Sequence, residues 1–120
     1  MHAWARIAAE GAACAQLQNS EAFWAVHDRL FQEQREITAE NAKAKITEIA
    51  HVAPHLDFAS FQTCLDEEMS LGLVLRDINL ASSNNVNATP TIFINGHRLQ
   101  GVKDAAQLRE LISAAVKESP

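Results

Sequence analysis

The stretch NATPTIFINGHRL, residues 87–99, decides the fold of this chain. Pro90 has no N–H for a strand ladder, so it predicts either the first residue of a strand or the turn before one. The residues from Thr91 to Ile94 are β-branched or aromatic and favour a strand. Asn95-Gly96 is the commonest two-residue hairpin signal, because both central positions of a type I′ turn need a positive φ. The sequence therefore predicts a β-hairpin with Pro90 at its open end.

The composition of the chain is typical of a globular protein. Its 120 residues suit one domain, and 48% of them are hydrophobic, which is enough to form a core. The formal net charge is −5, and the lysines and arginines are scattered, so we expect no nucleic-acid partner. No apolar run approaches the roughly 18 residues of a membrane span. The first residues do not form a signal peptide, so we expect any export signal to lie outside this sequence.

Apolar residues recur at three- and four-residue intervals on both sides of the hairpin and predict about six helices, five before it and one after it. Their expected positions are about 3–18, 20–34, from Thr38 to Pro54, from Asp57 through Leu65, 71–83, and from Asp104 towards the end of the chain. Asn84-Asn85 is a suitable place for a left-handed cap at the end of the fifth helix.

Polar residues at the expected helix starts provide caps. We expect Ser20, Thr38 and Asp57 to act as N-caps, and Asp104 to form a capping box with Gln107. The apolar stripes also predict which side chains face inward. These are Phe23, Val26 or His27, Leu30 and Phe31 in the second helix, and Leu108, Leu111, Ile112, Ala115 and Val116 in the last.

The chain has two cysteines, Cys14 and Cys64, which lie far apart in the sequence, and it contains no Cys-x-x-Cys motif. Each falls on a predicted apolar helix face, where a cysteine is either a small buried hydrophobic residue or half of a disulfide. Neither lies at a predicted helix N-terminus, the position that makes a cysteine nucleophilic. We therefore expect no catalytic residue in this chain.

The histidines do not predict a metal site. His51 and His55 are four residues apart, and Glu48 with His51 matches the Glu-x-x-His unit of di-iron bundles. Pro54 lies between the two histidines, however, and the sequence has no second unit of this kind. We therefore expect neither a metal nor any other cofactor.

The order of motifs around the hairpin resembles the C-terminal third of DsbA-like thioredoxin-fold proteins: Thr-Pro-Thr, strand, Asn-Gly, strand, glycine, helix. The resemblance extends towards the start of the chain through His2, Ala13-Cys14-Ala15, residues 23–31, Thr38, Leu56-Asp57 and residues 61–65. It implies an α/β, mostly helical fold with about six helices and one antiparallel hairpin. It also implies a single domain, 1–120, with a helical insertion-like part at 1–85 and a thioredoxin-like hairpin and helix at 86–120.

The departure from this family lies at the front of the chain. DsbA-like proteins begin with strands and a Cys-x-x-Cys helix before the part that corresponds to His2. We therefore expect a truncated form of the thioredoxin fold, with Met1 as either an internal start or an artificial boundary. We also expect a Cys-x-x-Cys upstream of it in the full-length protein.

The resemblance implies a function for the full-length protein, which is thiol–disulfide exchange with protein or peptide substrates outside the cytoplasm, as in the periplasm. The bond before Pro90 would be cis, and Thr89 and Pro90 would form the loop that contacts the substrate. The resemblance also favours a structural disulfide between Cys14 and Cys64 over two free thiols. Without the redox motif, this chain alone is expected to be inactive.

Two alternatives remain open. The chain can be a non-catalytic helical module that binds or assembles through the edge of its hairpin, or a glutathione-transferase-kappa-like or isomerase-like relative with the same architecture. An isolated two-stranded sheet with an unpaired edge is marginal in water. We therefore expect a homo-oligomer that covers the hairpin edge or the helix faces behind it.

Overall fold

The computed structural model describes residues 2–101 and 103–118 of the chain. Within these residues it has six α-helices and one two-stranded antiparallel sheet. The elements are α1 (Ala5–Gln18), α2 (Ser20–Gln32), a 3₁₀ turn (Gln34–Glu36), α3 (Ala42–His51), α4 (Phe58–Asp66), α5 (Leu71–Ser83), β1 (Thr91–Ile94), β2 (His97–Gln100) and α6 (Ala105–Glu118). They form two compact units that divide between Ile78 and Asn79. The expectation of one domain with a division after residue 85 stays a prediction.

Helices α1 to α4 form the core of the first unit. Helix α1 packs closely against α3 at Gly11, where an added Cβ would lie 2.5 Å from Cγ2 of Ile46. A glycine is therefore required there, since any side chain would push the two helices apart. The largest fully buried side chains of this unit include Phe61, Ile46, Ile49 and Val26.

The helix starts show where the predicted caps were right and where they were wrong. Asp57 accepts the backbone N–H groups of Ala59 and Ser60 at 3.1 and 3.4 Å, which confirms it as the N-cap of α4. Ser20 is not a cap, because Asn19 takes that position and its Oδ1 accepts the N–H of Ala22 at 2.7 Å. The extended backbone of Asn19 lets its amide reach this third helical residue, and Ser20 becomes the first residue of α2.

Thr38 forms a turn before α3 and does not cap that helix. Its Oγ1 accepts the N–H of Asn41 at 3.2 Å, and Asn41 Oδ1 accepts the N–H of Thr38 at 2.7 Å. The regular helix begins only at Ala42, so the prediction of Thr38 as its N-cap was wrong by one turn.

The second unit contains the predicted hairpin. Thr91 pairs with Gln100 and Ile94 with His97, and the turn residues Asn95 and Gly96 have φ of 48° and 81°. These angles fit the type I′ turn that the sequence predicts. Helix α6 follows, and its start is the expected capping box, in which Asp104 and Gln107 accept each other's backbone N–H at 2.7 and 3.1 Å.

Several predicted core residues are exposed. Phe31 is 63% exposed, because Val26 and Leu30 occupy the inward positions of α2. In α6 only Ala115 is buried, whereas Leu111, Ile112 and Val116 are 38%, 50% and 68% exposed. An apolar stripe specifies a helix face but not what covers it. In the described part of the second unit, α6 packs against β1 of the hairpin.

The helices are short. No helix among the described residues has the length and apolar content needed to cross a bilayer.

Candidate functional site

The loop between α5 and β1, residues 84–90, contains the predicted substrate-contacting residues. Two residues beyond Ser83, the last residue of α5, Asn85 adopts the left-handed backbone region with a φ of 56°. The N–H of Val86 donates to Ala81 O at 2.9 Å, and the N–H of Asn85 donates to Ser82 O at 3.0 Å. This is the hydrogen-bond pattern of a Schellman cap, so the predicted left-handed cap at Asn84-Asn85 is confirmed.

Hydrogen bonds at the open end of the hairpin anchor the second end of the loop. Pro90 O accepts the N–H of Gly101 at 3.0 Å, and Thr91 Oγ1 donates to Ala88 O at 2.5 Å. The Thr89–Pro90 peptide bond is cis. Residues 87–90 are exposed between these two anchored ends. An exposed backbone beside the end of a strand can pair with an extended peptide.

Arg98 also touches this loop, and the sequence did not single it out. From β2 its guanidinium donates to the carbonyl oxygens of Asn84 and Asn85. The sequence offers one indication of this role: Arg98 is a cation on a strand close to a predicted helix C-terminus, where a positive charge is favourable. That indication does not show which carbonyl groups accept hydrogen bonds from Arg98.

Cys14 and Cys64 form a disulfide in the first unit, with their Cα atoms 5.9 Å apart. The bridge joins α1 to α4, and the two residues are only 1% and 6% exposed. Ser70 lies beside it: its Oγ is 3.4 Å from Cys14 Sγ and donates to Glu10 O at 2.8 Å. Because these are the chain's two cysteines, both thiols are committed to the bridge and neither is available as a nucleophile.

Two carboxyl groups of the first unit have perturbed pKa values. Burial raises the pKa of Glu10 on α1, nearby Glu68 raises it further, and Arg6 opposes the rise. Hydrogen bonds to Lys43 and to Gln62 lower the pKa of Asp66.

The histidines considered for a metal site have separate surroundings. The His51 ring lies edge-on to Phe58, with centroids 4.6 Å apart, and His55 Nε2 lies 3.6 Å from a carboxylate oxygen of Glu21. Across residues 2–101 and 103–118, no group of three or more His, Cys, Asp or Glu side chains could hold a metal ion. Glu48 and His51 both lie on α3, and the expectation of no metal site stays a prediction.

Comparison with known proteins gives a family and several relatives. The family model described as thioredoxin matches residues 3–114. The Na(+)/H(+) antiporter NhaA 3 of Salinispora tropica is 32% identical over 116 residues, which cover 97% of this chain and 16% of the antiporter. The Na(+)/H(+) antiporter NhaA 1 of Salinispora arenicola is 29% identical over 96% of this chain and 17% of its own length.

A relative of a different kind is disulfide bond formation protein D of Bacillus subtilis, which is 25% identical over 101 residues. The match covers 83% of this chain and 46% of that protein, so the chain spans less than half the length of each of these three relatives. No solved structure gives a significant match. The family match and the disulfide relative confirm the expected DsbA-like resemblance and the mostly helical α/β fold class.

Proposed function

Because the chain belongs to the thioredoxin family, we propose that it is part of a thiol–disulfide oxidoreductase that acts on protein or peptide substrates. The observation that carries this proposal is the match to a disulfide bond formation protein over 83% of the chain. In such an exchange a thiolate attacks a disulfide sulfur, forms a mixed disulfide, and releases the other sulfur as a thiolate. The proposal assigns the attacking thiol to a part of the protein outside these 120 residues, since both cysteines here are bridged.

The proposed role of this chain is to hold the substrate. Thr89 and Pro90 lie in the exposed loop beside β1, and an extended peptide can pair with the backbone there. Disulfides persist in oxidising compartments, so the buried Cys14–Cys64 bridge supports an extracytoplasmic location for the proposed enzyme.

A peptide that carries a photoreactive group beside a blocked cysteine tests this role. We expect cross-links to map to residues 86–91 and to disappear when unlabelled peptide competes. Thr89→Glu should reduce the yield severalfold, because it adds bulk and charge at the contact. Thr63→Glu, at an exposed position on α4, is the matched control and should leave the yield unchanged. Cross-links that map to other segments, or no cross-links, would reject the proposal.

A second candidate is a non-catalytic binding or assembly module. The observation that favours it is the match of two Na(+)/H(+) antiporters over 97% and 96% of the chain. In this interpretation the chain is an accessory part of a larger assembly and holds no substrate peptide. Absence of peptide binding together with binding to a membrane transporter would favour this module over the oxidoreductase.

The described surface supports a proposal of self-association. Phe93 on β1 is 46% exposed, and Ile112 and Val116 on α6 are 50% and 68% exposed. Exposed apolar residues beside an unpaired strand edge are a typical interface. We therefore propose that the chain forms a homo-oligomer through the hairpin or α6.

A further inference from the structure

Arg98 connects the hairpin to the end of α5 within the second unit. Its Nη1 donates to Asn85 O at 2.7 Å, and its Nη2 donates to Asn84 O. Its guanidinium carbon also lies 5.1 Å from the ring centroid of Phe93, which is the residue opposite Arg98 in the strand ladder. One side chain therefore contacts the neighbouring strand and the helix terminus at the same time.

The two acceptors follow directly after Ser83, the last residue of α5, in the cap of that helix. The C-terminus of a helix is the negative end of its dipole, so a cation is favourable beside it. A guanidinium is planar and has donors in a fixed fork, so it can bind two adjacent carbonyls at once. The Arg98 fork thus holds the end of α5 at a fixed position relative to β2.

Residues 86–90 of the loop connect the cap of α5 to β1, the strand that pairs with β2. The first of them, Val86, belongs to the cap of α5, and the last, Pro90, is bonded to Gly101 after β2. If the end of α5 moves relative to β2, the two ends of this loop therefore move relative to each other. Between these ends, Ala88 O accepts the hydroxyl of Thr91.

We propose that Arg98 is a positioning residue for the substrate-binding loop: it fixes the end of α5 against β2 and so holds Thr89 and Pro90 in the conformation that pairs with a peptide. This inference rests on the proposed function. Arg98 itself does not touch the substrate. Its effect on peptide binding is transmitted through the backbone of residues 84–90.

Amide hydrogen exchange on the full chain tests the positioning role without any substrate. In Arg98→Ala we expect the N–H groups of Val86 and Gly101 to exchange about tenfold faster, because the loop opens more often. Arg98→Lys keeps the charge but lacks the fork, so we expect an intermediate increase of about threefold. Arg109→Ala, which removes an exposed arginine from α6, is the control and should change neither rate.

A residue that only stabilises the hairpin would give a different pattern. In that case the exchange rate of the Ile94 amide, near the turn, would increase as much as the rates of Val86 and Gly101. Equal acceleration at these sites, or unchanged exchange at Val86 and Gly101 in Arg98→Ala, would overturn the proposal.

Binding of an extended cysteine-containing peptide, with its thiols blocked, tests the functional consequence. We expect the dissociation constant to rise about tenfold in Arg98→Ala and about threefold in Arg98→Lys, in parallel with the exchange rates. Normal peptide affinity in Arg98→Ala, despite faster exchange, would refute the link to substrate binding. If the unmodified chain binds no peptide, the proposed function fails, while the exchange rates still decide whether Arg98 holds the loop.

Discussion

Replacing both Cys14 and Cys64 with alanine removes the bridge between α1 and α4, and the structure indicates how much stability is lost. The bridge links residues 50 positions apart. The chain-entropy relation gives about 3 kcal/mol for a 15-residue loop and about 4.7 kcal/mol for a 100-residue loop, so we expect a loss of about 4 kcal/mol here. This is a large part of the roughly 5–15 kcal/mol by which a typical domain is stable.

Urea unfolding measures this loss. Trp4 and Trp24 both belong to the first unit, so their fluorescence reports on the unit that contains the bridge. With a slope of roughly 1–3 kcal/mol per molar urea, we expect the midpoint to fall by about 2 M in the Cys14→Ala, Cys64→Ala variant. Reduction of the unmodified chain by dithiothreitol should lower the midpoint by a similar amount, and the reductant should not affect the double variant.

An unfolding midpoint of the unmodified chain that does not respond to reduction under unfolding conditions would contradict this prediction. That result would show that no bridge forms, or that the unfolded chain is already as constrained as the bridged one. A double variant as stable as the oxidised chain would lead to the same conclusion.

Three further predictions concern packing, pH and assembly. Gly11→Ala should lower the free energy of unfolding by about 1–3 kcal/mol, because its Cβ would lie 2.5 Å from a side chain of α3. Gly72→Ala is the control: its Cβ would meet nothing within 4 Å, so the same urea titration should show no loss of stability. Burial raises the pKa of Glu10 above its ordinary 4.5, so above pH 4.5 the folded state keeps a proton that the unfolded state loses. The free energy of unfolding should therefore decrease as the pH rises from 4.5 through the folded-state pKa. Glu10→Gln should remove this decrease in unfolding experiments across that range. Sedimentation equilibrium should show an oligomer that Phe93→Asp dissociates and Glu40→Gln does not, and a stable monomer at micromolar concentration would contradict the proposed self-association.

Local signals in the sequence predicted much of the fold. The hairpin follows from its strand residues and from Asn95-Gly96, whose backbone demands are specific to one turn type. The caps at Asp57 and Asp104 also depend only on residues within three positions. Such features can be predicted because one short segment contains both partners of each interaction.

Features that depend on distant residues could not be predicted in the same way. The contacts of Arg98 with Asn84 and Asn85 cross the whole loop and strand β1, and nothing in the local sequence specifies them. The exposure of Phe31 and Val116 likewise depends on which elements are present to cover a face. The spacing of apolar residues gives the direction of a face and not its partner.

We propose above all that residues 86–91 hold a substrate peptide. The most direct measurement is an amide chemical-shift titration of the full chain with an extended peptide whose cysteines are blocked. We expect saturable shifts concentrated at residues 86–91 and at the adjoining residues of β1, with the core amides of α1 and α3 unchanged. Shifts confined to the helices of the first unit, or no shifts at millimolar peptide, would contradict it.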